Sequence, residues 1–373
     1  MAEPSSPAVW AAELQDIVDD VSGLLGAPAV LEDISFSLIA YSSQGSVDVD
    51  PVRAATILGK TATPAVRAWF EEQGIATATG PVRLPGDPEQ RIAARFCLPA
   101  RSADVTQGYL WVLESAGFDP ARLALAEPLA RRAGELLALR RRGVDEHQRL
   151  VGELLSGDEE LASVARTALI ARGELSAGWP LAVVVVRAAV LPVGKTVVTT
   201  VVSEFVIAAD DPADPLGPAL RRASRLVGEH GRAGIGTPRD NVRDLAAARH
   251  EADSAARVAL ARPQLEPVLN WAALGFYRIV GQGAAAVEAL VAGTPAALLH
   301  SRADAELVRT ALVYLDQAGH AARTAAALSV HRQTLYYRLE KIEQLCGVDL
   351  DQGEPRLQLH VGLALTEILP FLR

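Results

Sequence analysis

The sequence predicts a multidomain protein in which α/β regions precede an all-α C-terminal region. A chain of 373 residues is long enough for two or three domains. Half of the residues are hydrophobic and 22% are charged, which is the composition of a folded protein with substantial cores. Segments with the pattern of strands alternate with helical segments up to about residue 282, whereas residues 284–373 show helical spacing and loops only.

Net charge and cysteine content exclude several classes of protein. The formal net charge is −9, so a protein that is coated by nucleic acid over its whole surface is excluded. Any contact with DNA must therefore come from a local basic patch. Cys97 and Cys346 are too few and too far apart in the sequence to predict a disulfide framework or a cysteine metal site.

The N-terminus and the apolar segments indicate where in the cell the protein is expected. The N-terminus shows no basic segment followed by an apolar run, and apolar stretches such as 181–186 are too short to span a bilayer. We therefore expect a cytoplasmic protein without membrane contact. Lysine occurs only at Lys60, Lys195 and Lys341 among many arginines, a bias that is typical of a GC-rich genome and suggests an actinobacterial source.

The N-terminal part of the chain is predicted to be an α/β domain. Apolar residues in 8–26 recur at the three- and four-residue spacing of an amphipathic helix, and 29–41 is a strand-like block that ends in turn residues. Further helices are expected over 51–58 and 64–73, and further strands over 93–98 and 107–114.

A long helical segment follows at 120–155. Asp119 suits the N-cap and Pro120 suits the first turn. Two interpretations remain open. One is a single helix with two apolar faces, which would pack on its own domain and on a partner subunit. The other is a pair of ordinary amphipathic helices broken near Gly143.

Residues 156–282 are predicted to form an α/β domain with one sheet. The continuous, β-branched apolar run 181–186 is typical of a buried strand, and 196–208 is expected to hold one or two more. The remaining predicted elements are helices over 216–229 and 242–261 and strands over 233–236 and 268–274.

The C-terminal region, 300–373, contains three short helices with the spacing of a helix-turn-helix. The first ends at Gly319, a residue that favours a helix C-terminus. An alanine-rich second helix, Ala321–Leu328, is followed by a tight turn at Ser329-Val330 and by a third helix over 331–345. The apolar face of the third helix, expected to pack on the first two, consists of Leu335, Leu339, Ile342 and Cys346.

The other faces of the third helix carry the side chains that a recognition helix needs. The candidate DNA-binding residues are Arg323, Thr324, His331, Arg332, Gln333, Thr334, Tyr336, Tyr337, Arg338 and Lys341. Arginine binds guanine bidentately, glutamine binds adenine in the same way, and hydroxyl groups reach phosphates. Between His320 and Lys341 there are four arginine or lysine residues and one acidic residue, which gives a local charge of +3.

Position along the helix suggests a role for each candidate. The predicted base readers at the N-terminal end are Arg332, Gln333 and Tyr336, and His331 starts the helix. The predicted phosphate ligands are Thr334, Tyr337, Arg338 and Lys341, with Arg323 and Thr324 clamping the backbone from the preceding helix. Arg338 lies near the edge of the buried face and has a second interpretation, a bridge to Glu306 or Asp349.

These residues resemble the C-terminal helix-turn-helix of the PucR/CdaR family of bacterial transcription regulators. The resemblance rests above all on the run His331-Arg332, Thr334-Leu335-Tyr336-Tyr337-Arg338-Leu339 and Ile342, and it continues to the terminal helix, 359–369. The Arg-x-Thr-Leu core is also similar to the Fis-type helix-turn-helix. Residues 10–140 look like a GAF-type sensory domain, and residues 150–280 look like the degenerate GGDEF-like middle domain of the family.

The resemblance implies a homodimeric regulator that binds double-stranded promoter DNA in response to a small-molecule effector. The implied parts are a GAF-like sensory domain at 8–140, a linking or dimerisation helix at 120–155, a GGDEF-like domain at 156–282 and the helix-turn-helix domain at 300–373. A dimer would place two recognition helices about 34 Å apart, one helical turn of DNA.

No catalytic constellation stands out from the sequence. Residues 231–236 lack the GGDEF signature, and Gly194-Lys195-Thr196 ends like a P-loop but has Ala189 where the first glycine is required. The seven histidines have no metal-ligand spacing. We expect no enzymatic activity, no cofactor and no metal. The alternatives are a nucleotide-handling enzyme, which turnover of GTP with Mg²⁺ would reveal, and a protein-interaction module, which footprinting would distinguish.

Overall fold

The computed structural model describes residues 7–42, 51–59, 61–88, 92–114, 118–193, 196–211, 213–227 and 231–372. The chain divides into two compact units, Met1–His147 and Gln148–Arg373. Lys60, the Gly194-Lys195 pair and His230 lie outside the described residues.

The first unit contains a mixed α/β arrangement, as predicted. Its elements are α1 (Pro7–Leu25), β1 (Ala29–Asp33), β2 (Leu38–Tyr41), α2 (Pro51–Gly59), α3 (Pro64–Glu72), β3 (Val82–Leu84), β4 (Arg95–Ser102), β5 (Val105–Leu113) and the first part of α4 (Leu123–Leu154). The described strands form one antiparallel sheet in the order β2-β1-β5-β4-β3.

Side chains alternate between the two faces of this sheet, as they must in a pleated strand. One face packs against α1 and α4 through a core that includes Leu31, Leu98 and Leu110. The other face packs against α2 and α3 through an aromatic cluster in which Phe70 and Trp111 stack with ring centroids 4.4 Å apart. Both faces of the sheet are therefore covered by helices.

The strand-like block 29–41 is two strands rather than one. Phe36 adopts a positive φ of 60° between β1 and β2, and the Asp33 carboxylate accepts hydrogen bonds from the backbone of Ser35 at 2.8 Å and Ser37 at 3.0 Å. A short aspartate side chain that binds backbone N–H groups two and four residues later favours a turn. The short strand β3 was not predicted, because only Leu84 of its three residues is buried.

α4 is one continuous helix of 32 residues, so the alternative of two helices broken near Gly143 is wrong. A single glycine costs only about 1 kcal/mol in a helix interior, which the surrounding leucine, alanine and arginine residues offset. Ala126, Ala130, Ala133 and Leu136 of this helix are buried in the core of the first unit. Leu125 and Leu139 are exposed.

The second unit begins with an α/β region. Its elements are α5 (Glu159–Ala171), β6 (Leu181–Val193), β7 (Thr196–Ala208), α6 (Gly217–Leu226), β8 (Gly231–Ile235), α7 (Leu245–Ala261) and β9 (Val268–Asn270). The described strands form one sheet in the order β7-β6-β8-β9, in which only β8 and β9 are parallel. α7 packs on one face and α6 on the other.

Two details of this region differ from the prediction. The predicted strand 268–274 ends at Asn270, because the Asn270 side chain accepts a hydrogen bond from the backbone N–H of Ala272 and starts a 3₁₀ turn. α5 was not predicted, although Asp158 caps it by accepting from the N–H groups of Glu160 and Leu161, each at 3.0 Å. Residues 196–208, for which one or two strands were predicted, form a single strand.

The C-terminal region is helical throughout, which confirms the predicted fold class at this level. Its helices are α8 (Ala284–Ala292), α9 (Pro295–Arg302), α10 (Ala305–Asp316), α11 (Ala321–Leu328), α12 (Arg332–Cys346) and α13 (Gly353–Thr366). Within the described residues, no single helix is long and apolar enough to cross a membrane. α8 and α9 together reach the length and apolar composition of a membrane span, but the pair is bent by 87°.

The α/β region and the helical region share a core. Ala255 and Val258 of α7 pack with Val287 of α8 and with Leu365 and Ile368 at the end of the chain. The two regions predicted as separate domains, 156–282 and 300–373, therefore lie in one compact unit.

Candidate nucleic-acid interface

A capped helix start and a reversal of the chain fix the two ends of α10. Asp304 caps α10, because its carboxylate accepts from the N–H of Leu307 at 2.8 Å. Ala318 and Gly319 follow α10 with positive φ angles of 54° and 77°. A Cβ atom on Gly319 would meet only the end of the flexible Arg356 side chain, so the positive backbone angle is what favours glycine here.

α11 and α12 are joined by three residues, the length of a helix-turn-helix turn. Ser329 ends α11 in the left-handed conformation with a φ of 55°, and the N–H of Val330 returns to the carbonyl of Ala325 at 3.0 Å. His331 then caps α12 with extended backbone, and its Nδ1 accepts from the N–H of Gln333 at 3.4 Å.

The predicted apolar face of α12 is buried, which confirms that part of the sequence analysis. Leu335 and Ile342 are completely inaccessible, and Leu339 and Cys346 are nearly so. They pack on Leu307, Ala311 and Leu315 of α10 in one hydrophobic core. Burial raises the pKa of the Cys346 thiol to about 11, so this cysteine stays a neutral core residue.

The N-terminal half of α12 exposes most of the predicted DNA-binding side chains together. Tyr336 is 47% exposed and Tyr337 is 66% exposed, although both are large aromatic residues. The other exposed candidates on this helix and its cap are His331, Arg332, Gln333, Thr334 and Lys341. Arg323 is exposed on α11, where its guanidinium also donates to the carbonyl of Gln317 at 3.2 Å.

Thr324 is placed differently from the prediction. Its side chain is completely buried, and its hydroxyl donates to the carbonyl of His320 at 3.0 Å. A buried hydroxyl that already bonds a helix carbonyl cannot reach a phosphate. The expected backbone clamp at Thr324 is therefore wrong, and the residue instead fixes the first turn of α11.

Arg338 lies against α10 rather than in solvent. Its side chain is 15% exposed, and its guanidinium donates to Glu306 Oε1 at 2.5 Å and to Thr310 Oγ1 at 3.3 Å. This is the second interpretation given for Arg338, a bridge to Glu306. The pair ties the recognition helix to α10 and removes one positive charge from the predicted basic patch.

Sequence reasoning missed two polar residues on the exposed face. Glu340 and Gln344 lie 7 and 11 residues after Gln333 and are exposed on the same side of α12, where the Gln344 amide donates to Glu340 Oε1 at 3.4 Å. The helical spacing was the signal that could have found them. A carboxylate at this position can accept a hydrogen bond from the N4 amino group of cytosine.

Asp316, at the end of α10, forms two further ion pairs in this region. His360 Nε2 lies 2.9 Å from its Oδ1, and the Arg262 guanidinium donates to both of its oxygens. Burial by itself would raise the pKa of Asp316, but the hydrogen bonds and charges of His360 and Arg262 hold it below its usual value. Among the described residues, no group of three or more potential ligands is placed to hold a metal ion.

The buried core, the three-residue turn and the exposed polar helix define a helix-turn-helix, a class of domain that binds DNA. The comparisons with known proteins agree. The family of PucR C-terminal helix-turn-helix domains matches residues 307–365. The C-terminal region of this chain is therefore similar to that family of domains, and the resemblance to PucR/CdaR regulators is confirmed.

Three curated relatives are similar to parts of the chain. The DNA-binding transcriptional activator AdeR of Bacillus subtilis (strain 168) is 27% identical over 119 residues, which cover 31% of this chain and 28% of that protein. The purine catabolism regulatory protein of the same organism is 38% identical over 66 residues, 18% of this chain and 12% of its own length. The carbohydrate diacid regulator of Escherichia coli (strain K12) is 50% identical over 44 residues, 12% and 11% respectively.

One solved structure aligns with a larger part of the chain. It is the crystal structure of a regulator of polyketide synthase expression from Bifidobacterium adolescentis, with 17% sequence identity and a TM-score of 0.24. The alignment covers 60% of this chain and 92% of that one. The chain spans 28% or less of the length of the three curated relatives named above.

Proposed function

We propose that this protein is a sequence-specific DNA-binding transcription regulator. The observation that carries the proposal is the geometry of α12. One face of the helix is buried in the core, and its N-terminal half presents Arg332, Gln333 and Tyr336 to solvent directly after a helix-turn-helix turn. Arginine and glutamine at the start of such a helix reach base edges in the major groove.

We assign the remaining exposed candidates to the phosphate backbone. Thr334, Tyr337 and Lys341 are exposed on α12, and Arg323 is exposed on α11. Thr324 and Arg338 are omitted, because the first is buried and the second is bound to Glu306. His331 serves as the cap that sets the start of the helix.

We infer that the rest of the chain controls this domain. The antiparallel sheet of the first unit, covered by helices on both faces, supports a GAF-like sensory domain at 8–140 that binds a small-molecule effector. The four-stranded sheet between α6 and α7 supports a GGDEF-like middle domain at 156–282. The names of both domains are those that the sequence resemblance implies. We assign α4, Leu123–Leu154, to the linking or dimerisation helix proposed for 120–155.

We further propose that the protein acts as a cytoplasmic homodimer on double-stranded promoter DNA. With Arg338 neutralised by Glu306, the exposed basic residues of one helix-turn-helix are few, so a single copy should bind weakly. Two copies would present recognition helices to successive major grooves about 34 Å apart. The exposed Leu125 and Leu139 of α4 offer apolar surface for a second copy.

Arg332→Ala is expected to weaken specific binding strongly while leaving the fold intact. The operator is first selected by the wild-type protein from a random-sequence duplex library, and affinity is then measured by gel shift. Loss of a bidentate arginine–base contact costs about 1–3 kcal/mol per half-site, so two half-sites lose about 30-fold or more. Circular dichroism should show no change, because Arg332 is exposed.

The matched control is Arg225→Ala, which removes an equally exposed arginine from α6 in the same unit. It should leave the affinity unchanged. Unchanged affinity of Arg332→Ala for the selected duplex would contradict the proposal, and α12 would then be a structural helix only.

Lys341→Ala should weaken binding to every sequence by a similar factor. A lysine that holds a phosphate releases about one counterion, so the slope of log K against log salt should become shallower by about 0.9 for each half-site. The base preference of the selected operator should not change. An unaltered slope, equal to that of Arg225→Ala, would show that Lys341 does not touch phosphate.

A further inference from the structure

The side chain of Arg332 is held in place in the free protein. The hydroxyl oxygen of Tyr336 lies 3.1 Å from Nε and 2.8 Å from Nη2 of Arg332, and both nitrogens donate to it. The guanidinium carbon also lies 5.3 Å from the centroid of the Tyr336 ring. The two residues are one helical turn apart, so the backbone of α12 itself brings them together.

The geometry of this contact decides which edge of the guanidinium stays available. A guanidinium has five N–H donors in a planar fork. The Tyr336 hydroxyl takes the side edge, which consists of the Nε donor and one donor of Nη2. The terminal edge, with the second Nη2 donor and one donor of Nη1, remains available, and this edge matches a pair of acceptors that it meets end-on.

In the major groove, such a pair of acceptors is displayed by guanine as O6 and N7. Adenine offers N7 beside an amino group, which would oppose a second donor. An arginine whose side edge is fixed and whose terminal edge is exposed is therefore suited to guanine. The contact also reduces the rotamer freedom that an exposed arginine loses on binding, a cost of about 0.5–1.5 kcal/mol for a long side chain.

We propose that Tyr336 is a positioning residue that presents the terminal edge of Arg332 to a guanine in each operator half-site. This deepens the proposed function and rests on it. It also revises the role of Tyr336, which the sequence analysis assigned to base reading. Here the tyrosine hydroxyl acts on the arginine, and the arginine acts on the base.

Tyr336→Phe tests the proposal, because it keeps the ring and removes only the hydroxyl. Binding is measured on the duplex selected by the wild-type protein and on the same duplex in which 7-deazaguanine, which lacks the N7 acceptor, replaces the guanine read by Arg332. That guanine is the position at which Arg332→Ala loses its preference. We expect Tyr336→Phe to bind the guanine duplex about fivefold more weakly, and to bind the 7-deazaguanine duplex as well as the wild-type protein does.

The control variant is Tyr337→Phe, which removes a hydroxyl from the next exposed residue on α12. Because Tyr337 is assigned to phosphate, its loss should weaken both duplexes by the same factor. Thermal unfolding of both variants should match the wild-type protein, since both side chains are exposed.

The outcomes separate this inference from the function on which it rests. An equal loss on both duplexes for Tyr336→Phe would show that the tyrosine contacts DNA directly, and would overturn the positioning role alone. A selected operator that lacks an Arg332-dependent guanine would also overturn it. Failure of the wild-type protein to select any sequence would overturn the proposed function, and this inference with it.

Discussion

Arg262→Ala is expected to lower the free energy of unfolding of the second unit by about 3 kcal/mol. Arg262 follows the last residue of α7 and is 2% exposed, and its Nη2 donates to the two oxygens of Asp316 at 2.9 and 3.0 Å. Its Nη1 donates to Glu367 beyond the end of α13. One buried charge therefore joins the α/β region to the first helix of the DNA-binding domain and to the end of the chain.

The size of the effect follows from what the substitution leaves behind. Removing the arginine leaves the partly buried carboxylate of Asp316 with one partner fewer, and it also leaves a cavity where the arginine side chain packed. The Glu367 carboxylate is exposed and adds little to the cost. Asp316 retains His360, at 2.9 Å, which limits the loss to the lower end of the range for buried pairs. Urea unfolding followed by circular dichroism measures the change.

The control is Arg243→Ala, which breaks an exposed ion pair with Glu159 in the same unit. Exposed pairs contribute little, so its unfolding midpoint should not move measurably. If Arg262→Ala also left the midpoint unchanged, the carboxylates would be resolvated at no cost, and the network would not hold the two regions together.

The sequence predicted the recognition helix well because its evidence is local. The spacing of Leu335, Leu339, Ile342 and Cys346 is that of one helix face, and these residues are buried as expected. The contact between Arg332 and Tyr336 also follows from a spacing of four residues and could have been found in the same way.

What the sequence did not predict depends on contacts between distant segments. Arg262 is a polar residue after a helix, and its partners lie 54 and 105 residues further along the chain. Nothing near Arg262 in the sequence distinguishes it from an exposed arginine. The burial of Thr324 has the same origin, because a short alanine-rich helix does not show which side faces the core.

The prediction of strand boundaries in residues 29–41 was wrong for a different reason. Residues 29–41 are mostly apolar, although Glu32, Asp33, Ser35 and Ser37 interrupt them, and the positive φ of Phe36 lies between the two strands. A bulky aromatic residue rarely adopts that conformation, so Phe36 itself argues against the turn that Asp33 favours. The Phe36 ring is completely buried among aromatic residues, which stabilises the unusual backbone.

Gly234→Val is expected to prevent the second unit from folding as described, with a loss of about 3 kcal/mol or more. A Cβ atom at Gly234 would lie 2.0 Å from the carbonyl oxygen of Ala252 and 2.4 Å from the backbone nitrogen of Ala256. These are backbone atoms of α7, which cannot move aside as a flexible side chain can. β8 and α7 can approach this closely because Gly234 of β8 faces alanine residues of α7.

The comparison variant is Gly152→Val, the same substitution in α4 at a site where no described atom lies within 4 Å of the new Cβ. Valine is a better helix former than glycine, so that variant should be as stable as the wild-type protein or slightly more so. For Gly234→Val we expect loss of cooperative unfolding and loss of DNA binding together, because the α/β region and the helix-turn-helix lie in one compact unit. A variant that unfolded the α/β region but still bound the selected duplex would show that the DNA-binding helices fold independently of α7.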